Sequence, residues 1–65
     1  MSDHEDKLRE LGAKLRHLYD AQQAMVWLFS PQPLLEGWAP AALIQQRRIN
    51  EVILLLDQLI LGIYL

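Results

Sequence analysis

No cysteine occurs in the 65 residues, so a disulfide framework and a thiolate metal site are both excluded. A chain this short buries only roughly 60% of the surface its unfolded form exposes, and without those staples oligomerisation is the favoured substitute. The absence of cysteine also fits a cytoplasmic protein. A basic excess is missing too: six Lys and Arg stand against eight Asp and Glu, a formal net charge of -2. Phosphate backbones demand the opposite balance, so no direct nucleic-acid partner is expected. The amino terminus, Met1 to Asp6, is acidic and lacks the basic and then apolar regions of a secretion signal. The longest apolar run, Val52 to Leu65, is interrupted by Asp57 and Gln58 and falls short of the ~20 residues that span a bilayer. It reads as a buried helix, and no membrane partner is expected.

Chemistry-bearing groups are equally scarce. Ser2 and Ser30 are the only serines, and both have helix-boundary roles, so no nucleophile stands beside a base and no enzyme is expected. His4 and His17 are too far apart in sequence to share one turn of a helix, and each sits among charged neighbours, as surface histidines do; no metal site follows. Gly12, Gly37 and Gly62 are isolated, which excludes a glycine-rich phosphate loop and leaves no cofactor to propose.

What the chain does have is helical pattern, in an all-α arrangement forming one domain over 1–65. Residues 1–20 hold five acids and four bases, residues 21–65 only three and two, so a solvated helix precedes a mostly buried remainder. Ser2-Asp3-His4-Glu5 has the form of a capping box. Asp3 to Lys7, Glu5 to Arg9 and Glu10 to Lys14 each place an acid four residues before a base, which supports a helix. The dry face is Leu8, Leu11, Leu15, Leu18, Gln22, Met25 and Phe29, a 3,4 spacing that predicts one long helix over 2–29. That stripe covers about three heptads and suits equally a coiled-coil seam or the inner face of a bundle helix. Its leucines, with Met25 and Phe29, are the expected oligomerisation residues. Asp20-Ala-Gln-Gln23 forms a second capping sequence, where the helix would kink or break.

Ser30-Pro31-Gln32-Pro33 ends that helix and opens a turn over 30–39. Pro40 suits the first position of a short helix over 40–48, and Asn50 the cap of an apolar helix over 50–61, stopped by Gly62 before a tail over 62–65. Trp27 and Trp38 flank the Pro-rich turn and are read as closing a small core, with binding aromatics as the alternative.

The signal for function lies in the last helix. At 100° per residue, Leu55, Leu59, Val52, Leu56, Ile60 and Ile53 cover an arc of about 160°, enough for a core face. Leu54 and Leu61 lie on the opposite side, seven residues apart, where water would require nothing apolar. With Ile63, Tyr64 and Leu65 they form a patch of the kind that marks an interface, and these five are the expected partner-binding residues. The tail carries an aromatic ring, an apolar anchor and a carboxylate, groups that can fill a cleft, with packing of Tyr64 and Leu65 back onto the helices as the alternative.

From Ala24 to Leu65 the chain resembles the toxin-binding domain shared by Xre, MbcA and ParS type antitoxins. The resemblance rests on Trp27-Leu28, Pro31-x-Pro33-x-Leu35-x-Gly37-x-x-Pro40-x-x-Leu43-Ile44, Asn50-Glu51-Val52 and Leu56-x-x-Leu59-x-x-Gly62. It implies a helical domain, usually part of a dimeric antitoxin, that docks over the active-site entrance of a RES-type toxin and stops it consuming NAD. The family commonly has a helix-turn-helix domain in front, where this chain has the charged helix of residues 2–29. The alternative from a different class is a homo-oligomeric helical adaptor or scaffold with no toxin partner. A peripheral membrane helix is disfavoured, because the apolar tail lacks a basic flank.

Overall fold

The computed structural model describes residues 3–62 and is all-α, with four α-helices: α1 (Asp3–Leu18), α2 (Ala21–Phe29), α3 (Pro40–Gln45) and α4 (Ile49–Leu61). A 3-10 turn over Pro33–Leu35 lies between α2 and α3. The expected Ser2 cap and the tail residues Ile63, Tyr64 and Leu65 lie outside the described residues.

The helix expected over 2–29 is two helices, broken at Tyr19 and Asp20. The cause is local. Asp20 adopts an extended backbone, its carboxylate accepts from the Gln23 amide at 2.8 Å, and the Gln23 side-chain oxygen accepts from the Asp20 amide at 3.3 Å. A complete capping box thus starts a new helix where the 3,4 spacing alone would have continued the old one. Past Phe29, the Ser30 hydroxyl donates to the Val26 carbonyl at 2.6 Å and Pro31 prevents further helix. The chain then closes a tight turn in which the Gly37 amide donates to Gln32 and the Gln32 amide to Trp38. Glu36 and Gly37 both take positive φ, 58° and 85°, so two consecutive left-handed residues reverse the chain.

The short helix expected over 40–48 stops at Gln45. The Arg48 amide donates to the Leu43 carbonyl at 2.8 Å and the Arg47 amide to Ile44 at 3.1 Å, the paired bonds of a Schellman motif. Arg47 fills its left-handed position, at φ 61°, where glycine is usual. The last helix begins at Ile49 with Arg48 at the cap position, not at Asn50. Ile49 is buried in the core while Asn50 is exposed, so packing sets the start and overrides the better capping residue. Gly62 ends the helix in the left-handed conformation its sequence position suggested.

α4 is the hub: α1 packs along it, and α3 and the 3-10 turn cover it from the other side, whereas α2 leans on α3 and on α1. Asp3 to Glu10 share a groove with Arg47, Ile49 and Asn50, and Lys14 meets Asp57 further on, so α1 and α4 run in the same direction. Parallel neighbours need a crossover, and α2, the turn and α3 supply it. The core holds Leu11 and Leu15 of α1, Trp27 of α2, Leu35, Leu43, and Ile49, Val52, Ile53, Leu55 and Leu56 of α4. Among the described residues no polar or charged side chain is buried.

Candidate protein-docking surfaces

Packing of α1 onto α4 decides the fate of the heptad stripe. Leu11 and Leu15 are buried within the chain, and Leu18 is half-buried against the same cluster. These three expected oligomerisation residues are therefore spent on intrachain packing. Leu8 lies at the margin, 40% exposed. Beyond the break the direction reverses. Met25 and Phe29, in the same spacing, are 57% and 65% exposed, and neighbouring Val26 is 63% exposed. The capping box re-aims the chain, so that one arithmetic series of apolar residues points inward on α1 and outward on α2.

On α4 the expected core arc holds its division. Val52, Ile53, Leu55 and Leu56 are buried, Leu59 and Ile60 are intermediate, and Leu59 packs on the cluster. Leu54 and Leu61 are 58% and 74% exposed on the outer side. Between them in sequence stands Asp57, whose carboxylate contacts the Lys14 ammonium at 2.5 Å; Lys14 also reaches Glu10 at 3.7 Å. The hydrogen bond to Asp57 raises the Lys14 pKa above its ordinary value. At the start of α4 the Arg48 guanidinium grips Glu51 in a two-bonded fork, 2.5 and 2.8 Å, which lowers the Glu51 pKa and raises that of Arg48. Leu54 and Leu61 therefore project from a face whose neighbouring charges already have partners.

A third feature is a shallow trough of about 590 Å³ where α1 ends and α2 begins, lined by Tyr19, Asp20, Gln22, Gln23, Val26, Trp27, Ser30 and Gln32. Its floor is the Tyr19–Trp27 stack, ring centroids 6.1 Å apart and planes inclined 27°. Gln32 Nε2 donates to the Trp27 and Ser30 carbonyls, so the polar rim is engaged in holding the turn. Trp27 thus closes the core, but Trp38 stands 45% exposed.

His4 and His17 both stand exposed, and among the described residues no three His, Asp or Glu groups lie together in a metal-binding arrangement. No helix among them is long and apolar enough to cross a membrane. What the heptad reading missed is the width of the α2 face: Val26 and, beyond it, Leu34 and Trp38 are exposed apolar residues that it did not single out. A signal was present, since residues 21–35 contain no charged side chain at all. No family model, curated protein or solved structure matches the chain.

Proposed function

We propose that this domain is a protein-binding inhibitor of the antitoxin type, which docks the outer face of α4 on a RES-type toxin and closes the toxin's active-site entrance. One observation carries the proposal: Leu54 and Leu61 remain 58% and 74% exposed on a helix whose other face supplies half of the buried core. Exposed leucines in register, on a helix already anchored, present a rigid apolar ridge that loses little conformational entropy when covered. The resemblance from Trp27 to Gly62 supplies the class of partner. Ile63, Tyr64 and Leu65 follow directly on that ridge in sequence and extend the docking segment. In this role the domain binds no NAD and uses no metal.

Co-expression with a RES-domain toxin tests the proposal through cellular NAD. The wild-type chain is expected to restore NAD and growth. Leu54→Asp should lose that protection while keeping its helical circular dichroism, because the side chain it replaces is outside the core. Equal protection by both chains would remove α4 from the inhibitory role. A chain lacking Tyr64 and Leu65 separates the tail from the ridge.

A further inference from the structure

We propose that the outer face of α2 is where two copies of this chain pair, leaving the α4 ridge free for a different protein. The α1 stripe cannot serve, since Leu11 and Leu15 are consumed by the chain's own core. On α2, by contrast, Met25, Val26 and Phe29 are each more than half exposed and lie within one side of the helix, opposite buried Trp27.

Charge selects the occupant. A two-fold interface brings each patch against itself, so residues near the axis meet their own copies. Across residues 21–35 no side chain is charged, and α2 therefore faces its copy with no like-charge contact. Gln22, exposed and in register one turn before Met25, offers an amide that both donates and accepts and so can pair with its own copy. The α4 ridge fits a copy of itself less well: the Arg48–Glu51 and Lys14–Asp57 ion pairs flank Leu54, and a two-fold there would take both pairs and their copies out of water. A self-complementary surface and a charged ridge thus suit different partners.

Area sets the strength. Each of the three exposed residues leaves on the order of 100 Å² in water, so two copies remove roughly 600 Å² of it, below the ~1,000 Å² of a stable interface and in the range of a weak, transient one. Such a contact is of micromolar class, reversible at low concentration.

Sedimentation equilibrium on the full chain across the micromolar range is the test. The wild type should titrate between monomer and dimer, and Phe29→Glu should raise the dissociation constant by about 100-fold or more. Leu54→Asp should leave it unchanged. Because the chain has no cysteine, Gln22→Cys gives a clean second readout: mild oxidation should trap a covalent dimer, and Asp6→Cys should not. A wild type that stays monomeric overturns the proposal, as does a dimer indifferent to Phe29→Glu or one that Gln22→Cys does not trap. A monomeric wild type whose capture of another protein is lost with Phe29→Glu would also overturn it, assigning the face to a foreign partner. None of these outcomes depends on whether the α4 ridge binds a toxin.

Discussion

α2 and α4 are both apolar helices, yet they stand in opposite relation to the core. α4 has several neighbours and buries Ile49, Val52, Ile53, Leu55 and Leu56, half-covers Leu59 and Ile60, and leaves only Leu54 and Leu61 exposed among its large apolar residues. α2 rests on fewer neighbours, buries Trp27 alone, and exposes Met25, Val26 and Phe29. Apolar composition therefore states a need for cover, and the number of neighbours within the chain decides how much of that need remains for other molecules.

The sharpest break of this comparison uses α1, which covers α4. Leu11→Glu places a carboxylate in the core, at a cost of about several kcal/mol, and should unfold the chain outright on circular dichroism. Had the stripe been an intermolecular seam, the same change would have produced a folded monomer. Next in size, Leu56→Ala should lower the unfolding free energy by roughly 2–5 kcal/mol in urea melts, because the side chain is fully enclosed. Phe29→Ala, equally apolar but outward on α2, should change it by about 0.5 kcal/mol or less at concentrations where the chain is monomeric.

Asp20→Ala removes one half of α2's capping box, the carboxylate that accepts from the Gln23 amide, and should cost about 1 kcal/mol. Amide exchange should quicken across Gln22 to Met25 and leave the middle of α4 protected. Arg47→Gly works on the other helix's threshold. Replacing a left-handed non-glycine residue just before α4 should raise stability, by up to about 1 kcal/mol.

The smallest effect is a pH response at the start of α4. Arg48 holds Glu51 below the ordinary glutamate value of 4.5, so the fork's contribution is complete above that value and is lost as pH falls through the depressed one. Exchange at the start of α4 should rise there, and Glu51→Gln should flatten the profile.

The sequence made the punctuation legible. The Asp20–Gln23 box, the Pro31 and Pro33 stop, Pro40 at a helix start and Gly62 at a helix end all act through atoms within a few residues, so local pattern finds them. The α4 division was legible as well, since Leu54 and Leu61 oppose a continuous arc. Direction was not. A 3,4 spacing records which residues share a face of a helix and not what that face meets, so Leu11 and Phe29 looked alike although one is enclosed and the other exposed. The Arg47 turn and the early start of α4 at Ile49 escaped for a related reason: tertiary packing chose them over the local preference for glycine and for Asn50.

Among the described residues the core holds no buried polar side chain, and that has a consequence for uniqueness. Oil on oil carries no register, and leucine, isoleucine and valine can exchange places in such an interior with modest loss so long as volume is kept. The instruction to sit one way must then come from the periphery: the Lys14–Asp57 clasp that fixes how far α1 lies along α4, the Arg48–Glu51 fork at α4's origin, and the Asp20 box that fixes where α1 stops. Those few surface contacts act as the address labels of the fold, and the interior supplies only the adhesive.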